Sequence, residues 1–320
     1  MIRVFSADDV ARSLPYDQLI DALEEAFSVS AIVPLRSHHA IDVPGAASGT
    51  LLLMPAWTSG DSLGVKIVTV FPDNGLRGLA AVHASYLLLD ARTGTFRAMM
   101  DGGELTLRRT ACASALASRY LSRKDANTLL MVGTGKLAPH LIGAHATARS
   151  ISSVRIWGRR IEAAQSLAEE MQGMRFDVSV AEDLESAVHD ADIISCATLA
   201  TDPLIHGEWL QAGQHLDLVG AFTPKMREAD SAAVARADVY VDTRAGTLSE
   251  AGEILQAIDE GRFSESGIKA ELAELVRGEK AGRTSDSTIT LFKSTGTALE
   301  DLAAAMLVAS QSDPAAKHAG

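Results

Sequence analysis

The sequence predicts an α/β protein in which a doubly wound parallel sheet is joined to a second, mixed α+β part. Residues 129–245 alternate short apolar runs with helix-compatible stretches, as the strands and helices of such a sheet do. The first run, 129–132, leads into Gly133, Gly135 and Ala138. A buried strand that turns through glycines into a helix presents backbone N–H groups to a pyrophosphate, so this segment predicts a dinucleotide-binding fold.

The first hundred residues predict a mixed sheet preceded by a helix. Ser6 is placed as the N-cap, with Asp9 three positions on, and the apolar side chains that follow share one helical face as far as Phe27. The Pro-Asp-Asn-Gly segment at 72–75 is a strong turn signal. Three apolar runs are predicted strands: 51–57, 64–71 and 84–90.

The later elements complete a dinucleotide-binding (Rossmann) domain. An alanine-rich helix over 105–122 connects the two parts of the chain, a mixed stretch covers 285–299, and a closing helix covers 301–310. The polar tail at 312–320 is predicted to be disordered. The predicted strands of the parallel sheet are 129–132, 154–157, 177–180, 192–198, 215–220 and 239–242.

The composition argues against several classes of function. With 29 basic and 41 acidic residues the formal net charge is −12, which disfavours a nucleic-acid or membrane partner. The two cysteines, Cys112 and Cys196, lie in unrelated contexts, and the histidines show no metal-binding spacing, so we expect neither a disulfide nor a metal site. The sequence shows no signal-peptide core and no apolar stretch of about 18 residues, so we expect a cytoplasmic protein.

Three cationic residues in the first part, Arg36, Lys66 and Arg109, are candidates for binding an anionic group. Lys66 lies in an otherwise apolar strand, where a buried lysine needs a partner or a ligand; if it faces outward, it is an ordinary solvated residue. Arg109, beside Arg108, is by itself as readily a surface or salt-bridge residue. If the three converge they suit a carboxylate, since arginine offers a bidentate fork and lysine a point charge.

The end of the second strand of the parallel sheet predicts the cofactor. NAD-binding proteins place an acid there that repels a 2′-phosphate, whereas this strand runs into Gly158, Arg159 and Arg160. Two arginines favour NADPH; the alternative is that one arginine stacks on the adenine and NADH binds as well. Lys136 either adds charge to the pyrophosphate or points to solvent. The other residues assigned to the cofactor site are Gly133, Thr134, Gly135, Leu137, Ala138, Thr198 and Gly220.

Six ordered segments of the chain resemble the ornithine cyclodeaminase and mu-crystallin family. The resemblance extends over essentially the whole length and implies a homodimer whose first domain forms both the substrate pocket and the dimer interface. It places that domain at 1–115, completed by 296–320, and the Rossmann domain at 116–295. The segments are GVKIVTVFPDN (64–74), ASYLLLDARTG (84–94), LTLRRTACASALASRYL (105–121), the glycine turn, LVGAFTPKMREAD (218–230) and TITLFKSTGTALEDLA (288–303).

The resemblance also implies roles for the three cations and for position 222. Lys66 and Arg109 would hold the substrate carboxylate and thereby serve catalysis, with Arg36 as a third member. Cyclodeaminases carry an aspartate at position 222 that handles the substrate amine, whereas this chain has Phe222, followed by Thr223. A phenyl ring can neither accept a proton nor bind an ammonium group, so ornithine cyclodeamination is disfavoured.

The segment around Phe222 resembles the ketimine reductase branch instead. That branch reduces cyclic imino acids, Δ1-pyrroline-2-carboxylate to L-proline or Δ1-piperideine-2-carboxylate to L-pipecolate, by hydride transfer to C2 of the imine. Three alternatives stay open. They are an ornithine cyclodeaminase in which Glu228 or Asp230 replaces the missing acid, an alanine or N-methylamino-acid dehydrogenase that acts on an open-chain 2-oxo acid, and a non-enzymatic, crystallin-like NADPH-binding protein.

Overall fold

The structure is a computed structural model that describes residues 2–311, and the chain divides into two compact units. Unit 1 comprises Met1–Arg109 and Thr297–Gly320, and unit 2 comprises Thr110–Gly296. The first division falls within a helix, a little before the domain boundary that the sequence predicts after residue 115. The tail at 312–320, predicted to be disordered, lies outside the described residues.

Strands and helices alternate through most of the chain. The strands are β1 (Arg3–Phe5), β2 (Ser37–Ile41), β3 (Gly49–Trp57), β4 (Ser62–Val70), β5 (Val82–Asp90), β6 (Phe96–Asp101), β7 (Thr128–Val132), β8 (Ser153–Trp157), β9 (Asp177–Val180), β10 (Ile193–Cys196), β11 (His215–Leu218), β12 (Asp238–Val241), β13 (Ile268–Glu271) and β14 (Thr290–Lys293). The helices are α1 (Ala7–Ser13), α2 (Tyr16–Ser28), α3 (Gly102–Leu121), α4 (Ala138–Ala148), α5 (Ile161–Glu170), α6 (Leu184–Asp190), α7 (Ser231–Arg236), α8 (Arg244–Glu250), α9 (Gly252–Asp259), α10 (Leu272–Val276) and α11 (Ala298–Gln311). Short 3-10 helices cover Pro72–Arg77, Gly207–Trp209 and Glu265–Gly267.

Unit 1 contains a six-stranded mixed sheet in the order β1-β6-β5-β4-β3-β2. The β1–β6 pair is parallel and the other pairs are antiparallel. One row of paired residues runs across the sheet through Met54, Lys66, Tyr86 and Met100. All four side chains are buried, on the face that α11 covers, and α2 packs against α11. A lysine therefore lies in a buried apolar row.

The N-terminal region departs from the prediction of one helix that continues to Phe27. Ser6 and Asp9 form the expected capping box at the start of α1. The helix nevertheless ends at Ser13, because the C-cap residue Leu14 has a φ of −122° and a ψ of 61°, which are not helical. Pro15 becomes the N-cap of α2. A proline ring clashes with the residue before it when that residue is helical, so Pro15 disfavours the α conformation of Leu14 and explains the break.

Unit 2 contains an eight-stranded sheet in the order β13-β12-β14-β11-β10-β7-β8-β9, and every pair is parallel. The prediction of a doubly wound parallel sheet is confirmed. From β7 the chain proceeds to β8 and β9 on one side and to β10 and β11 on the other, so the strand order reverses beside β7. In such folds the crevice at the carboxyl ends of the strands next to this reversal binds the ligand.

Several strand limits differ from the predicted ones. β10 ends at Cys196 and β11 at Leu218, two residues earlier than predicted, because Thr198 and Gly220 donate their backbone N–H groups to a side chain instead of a strand. Four strands lie outside the predicted elements: β1, β2, β6 and β13. β1 has three residues, and all five residues of β2 are exposed, so neither carries the apolar alternation that signals a strand.

Within residues 2–311 no helix has both the length and the apolar character needed to cross a bilayer. The same part of the chain holds no group of three or more histidine, cysteine or acidic side chains arranged to bind a metal.

Candidate active-site residues

Lys66 is the centre of a buried charged cluster in unit 1. Its side chain is 3% exposed, so the alternative that it faces outward into solvent is wrong. The Nζ atom lies 2.8 Å from Oδ2 and 2.9 Å from Oδ1 of Asp301 on α11. Thr106 Oγ1 lies 3.5 Å away. β4 therefore directs a lysine into the interior, where one carboxylate compensates its charge.

Arg109 joins the same cluster from α3. Its Nε donates to Asp301 Oδ1 at 2.9 Å, and its terminal guanidinium nitrogen NH1 donates to Glu300. Asp301 therefore bridges Lys66 and Arg109, and Glu300 binds the second arginine nitrogen. A buried charge without a partner costs several kcal/mol, so Asp301 and the two cations stabilise one another in the interior.

The pKa values in this cluster follow from burial and charge. The pKa of Lys66 is lowered to about 8, chiefly by burial and also by the positive charges of Arg109 and Arg36, against the opposing attraction of Asp301. Burial alone would raise the pKa of Asp301, but Arg109 and Lys66 together hold it below its ordinary value. Lys66 is consequently a cation that is close to losing its proton under mildly alkaline conditions.

Arg36 is the third cation, and it lies half-buried just before β2. Its positive charge is the smallest of the causes that act on the pKa of Lys66, so its field reaches the cluster of Lys66 and Arg109. Lys66 and Arg109 are two buried cations that lie against one carboxylate, that of Asp301. Two adjacent cations of this kind suit an anionic ligand such as a carboxylate.

Asp301 and Glu300 are the members of this charged cluster that the sequence interpretation missed. Both are fully buried, although they lie in the first turn of α11. Acidic residues in a first turn are ordinary because they complement the helix dipole. The distinguishing signal is their position at the start of an alanine-rich, apolar helix that has little other polar character.

In unit 2 the glycine turn after β7 has the geometry that its sequence predicts. Gly133 has a φ of 121°, and a Cβ at this position would lie 2.6 Å from the Ala197 carbonyl oxygen. The turn leads into α4, which begins at Ala138; Leu137 is the N-cap, and no side chain caps this end. The N-terminal dipole of α4 is thus left for another negative group, which fits a pyrophosphate.

The turn also contacts the segment that follows β8. A Cβ at Gly158 would lie 2.7 Å from Thr134 Cγ2, so a side chain there would displace the turn. Arg159 and Arg160 come next and are exposed, and among residues 2–311 neither has an ion-pair partner. Lys136, Gly135 and the two arginines therefore form an exposed, basic border beside the turn.

The remaining predicted site residues lie in the segments after β10 and β11. Thr198 and Gly220 are half-buried, and their backbone N–H groups both donate to Glu228. Phe222 is 52% exposed and Thr223 is half-buried. The side chain of Phe222 is therefore accessible.

The two acids considered as replacements for an aspartate at 222 are engaged elsewhere. Glu228 is fully buried and accepts backbone hydrogen bonds. Asp230 is the N-cap of α7, accepts from Ala233 N at 2.8 Å and from Gly207 N at 2.9 Å, and contacts His206. Neither carboxylate is free to act on a substrate amine.

A family model described as the ornithine cyclodeaminase/mu-crystallin family matches residues 2–314 of this chain. Among curated proteins, a Δ1-pyrroline-2-carboxylate reductase of Colwellia psychrerythraea is 37% identical over 310 residues, which is 95% of this chain and 97% of the relative.

Two solved structures are similar over nearly the whole chain. The Δ1-pyrroline-2-carboxylate reductase of Thermococcus litoralis, in complex with NADH and L-proline, has a TM-score of 0.89 and 35% identity and covers 96% of each chain. An archaeal alanine dehydrogenase dimer with bound NAD has a TM-score of 0.88 and 28% identity, and covers 96% of this chain and 95% of its own.

Proposed function

The chain belongs to the ornithine cyclodeaminase/mu-crystallin family, and on that premise we propose that it is an NAD(P)H-dependent imine reductase. Its proposed substrate is a cyclic ketimine amino acid, Δ1-pyrroline-2-carboxylate, which it reduces to L-proline; the six-membered Δ1-piperideine-2-carboxylate is a second candidate. Relatives that carry the reductase name, and one that binds NADH and L-proline, support this proposal.

The observation that carries the proposal is the buried pair of cations in unit 1. Lys66 on β4 and Arg109 on α3 share the Asp301 carboxylate, which holds both cations in the interior of unit 1. Each charge-assisted contact from such a cation to a substrate carboxylate contributes about 1.5–3 kcal/mol. Arg36 would add a third contact. A protein that merely stores a nucleotide has no use for a carboxylate clamp, which speaks against the non-enzymatic alternative.

The chain's residues bind and orient the substrate for reduction. When the cofactor is bound, its dihydronicotinamide supplies the hydride that adds to C2 of the C=N bond. Lys66 and Arg109 would fix the carboxylate and thereby orient C2, which is where most of the catalytic benefit of positioning arises. The imine nitrogen takes its proton from solvent or from a hydroxyl such as that of Thr223. Because the substrate is already an imine, no hydrolytic base is needed, and Phe222 would contact its apolar ring.

Unit 2 would bind the cofactor. The Gly133 turn and the uncapped N-terminus of α4 fit the pyrophosphate, and Arg159 and Arg160 fit the 2′-phosphate of NADPH. We propose NADPH as the preferred form, with NADH able to bind. The Thermococcus reductase contains NADH and the archaeal alanine dehydrogenase contains NAD, so the proposed preference depends on these arginines alone.

The protein is proposed to act as a homodimer through unit 1. On the sheet face opposite Lys66, a row of paired side chains runs through Pro55, Val65, Leu87, Met99 and Val4. All five are at least partly exposed; Val4 is 73% exposed. An apolar surface that crosses five strands is typical of a protein interface. The similar archaeal alanine dehydrogenase is a dimer.

Two alternatives keep the fold and cofactor. An ornithine cyclodeaminase would need an acid in place of Phe222, and Glu228 and Asp230 are both engaged elsewhere. A dehydrogenase acting on an open-chain 2-oxo acid is favoured by one observation, the similarity to the alanine dehydrogenase. It would require ammonia or an amine as co-substrate.

The test is a comparison of substrates at saturating NADPH. The cyclic imines with five- and six-membered rings are assayed without ammonia, and pyruvate is assayed with ammonia and with methylamine. The proposal predicts that a cyclic imine is reduced with the highest kcat/KM. Faster turnover of pyruvate with either amine would replace the proposal by the dehydrogenase alternative.

A further inference from the structure

We propose that Glu228 is a positioning residue, which fixes the segments after β10 and β11 in the arrangement that binds the nicotinamide cofactor. The inference rests on the cofactor of the proposed function but not on its imine substrate. Glu228 lies in the loop between β11 and α7, eight residues beyond Gly220.

The Glu228 carboxylate joins the ends of two neighbouring strands. Oε1 accepts from Thr198 N at 2.6 Å and from Thr198 Oγ1 at 2.8 Å, and Oε2 accepts from Gly220 N at 2.6 Å. β10 and β11 are hydrogen-bonded neighbours, so one side chain sets the separation of the segments that follow them. Gly220 must be glycine here, because a Cβ would lie 2.1 Å from the Thr198 carbonyl oxygen.

These segments lie directly against the glycine turn. A Cβ at Gly133 would be 2.6 Å from Ala197 O and 3.3 Å from Thr198 Cγ2. The turn therefore rests on the same segment that Glu228 holds. A displacement of Thr198 would move the segment against which the glycine turn packs. A displacement of about 1 Å is enough to weaken the binding of a ligand to a preorganised site.

The charges around Glu228 come from three elements. Lys293 at the end of β14 and Glu253 on α9 form a buried pair, with Nζ 3.3 Å from Oε2, and Glu253 Oε1 also accepts from Glu228 N at 3.2 Å. Burial and, after it, the negative charge of Glu228 raise the pKa of the Cys196 thiol on β10. The pKa of Glu228 is raised to about 7, chiefly by burial; the charge of Lys293 opposes this rise and that of Glu253 adds to it.

An ionised carboxylate is the strongest acceptor for these three donors. Protonation leaves one oxygen as a weaker acceptor, and replacement by glutamine turns an NH2 donor, which cannot accept, toward one of the backbone N–H groups. A buried N–H that loses its acceptor is strongly unfavourable. Loss of the negative charge at Glu228 therefore weakens the connection between Thr198 and Gly220.

The experiment measures NADH binding by fluorescence over a pH range of about 5.5–8.5. NADH is the probe because it has no 2′-phosphate, whose own titration would overlap with that of Glu228. Wild type should bind NADH less tightly as the pH falls through about 7. Glu228→Gln should bind it about tenfold or more weakly at the upper pH and show no step near neutrality. Thermal unfolding of every variant establishes that it is folded.

Asp230→Asn is the matched control. Asp230 lies two residues further along the same loop and also accepts backbone N–H groups, from Gly207 and Ala233. This variant should lose thermal stability yet keep the wild-type NADH affinity and pH step. Equal weakening of NADH binding in both variants would overturn the proposal, as would wild-type affinity in a folded Glu228→Gln protein.

A second variant tests the proposal without altering Glu228. Glu253→Gln removes a negative charge that raises the pKa of Glu228, so the step in NADH affinity should move to lower pH. This outcome remains measurable if Glu228→Gln does not fold. A wild-type affinity without a step near pH 7, or a step that Glu253→Gln leaves in place, would contradict the proposed role. None of these measurements uses an imine, so failure of the substrate assignment would not affect them.

Discussion

Asp301→Asn offers the sharpest test of the charged cluster in unit 1, because Asp301 contacts both Lys66 and Arg109. The Lys66 pKa of about 8 leaves roughly three quarters of the side chains charged at about pH 7.5. An opposite charge in contact moves a pKa by about 1–3, so the Lys66 pKa falls to between about 7 and 5 without Asp301. The charged fraction then falls to about one quarter at most.

The expected result is a rise of at least about threefold in the KM for Δ1-pyrroline-2-carboxylate at about pH 7.5, because fewer molecules present a charged Lys66. The assay measures KM against pH at saturating NADPH, and the pH at which KM begins to rise should be lower in the variant than in wild type. Glu300→Gln is the control, since it removes the adjacent carboxylate, which binds Arg109. It should change KM without moving the pH at which KM rises. A KM for Asp301→Asn at or below that of wild type would show that Asp301 competes with the substrate for the cations and would refute the reasoning.

Three further predictions concern Lys66, the arginine pair and Phe222. The folded-state pKa of Lys66 lies below 10.5, so the unfolded chain binds this proton more tightly, and the free energy of unfolding of wild type should rise between about pH 8 and pH 10.5. In urea unfolding Lys66→Met should lack that rise, and parallel stability–pH curves for the two proteins would contradict the lowered pKa of Lys66. Arg159→Ala and Arg160→Ala should each weaken NADPH binding about tenfold while changing NADH binding little, and equal losses measured by fluorescence titration would refute the 2′-phosphate role. Phe222→Ala should lower kcat/KM for the cyclic imine about tenfold through lost apolar contact, whereas Phe222→Leu should retain most activity; unchanged kinetics in both would remove Phe222 from the substrate site.

Local sequence patterns were sufficient to predict the parallel sheet. The apolar run before Gly133 and the repeated alternation after it are short-range signals. The structure confirms the predicted parallel sheet and adds β13 and β14 to its six predicted strands. The break in the helix at Leu14 could also have been predicted, because Pro15 follows Leu14 and disfavours its helical conformation. The sequence predicts one continuous helix because the apolar positions keep a helical spacing across the break.

The partners of the charged groups could not be predicted in the same way. Asp301 is 235 residues from Lys66, and the local sequence around either residue does not indicate that the two side chains are in contact. Glu228 was considered only as a possible acid, since its burial and its contacts with Thr198 and Gly220 depend on how β10 and β11 pair. Such pairings are properties of the tertiary structure. The family resemblance could assign Lys66 and Arg109 a role but not the carboxylates that hold them.

The most direct test of the central claim is a pair of assays on one preparation of wild-type protein. The first follows NADPH oxidation with Δ1-pyrroline-2-carboxylate, and the second follows ammonia release from L-ornithine with NAD⁺. The account predicts rapid NADPH oxidation with formation of L-proline, and no ammonia from ornithine. Ammonia and proline from ornithine, together with an inert imine, would contradict it and would mean that another group performs the role for which Phe222 is chemically unsuited.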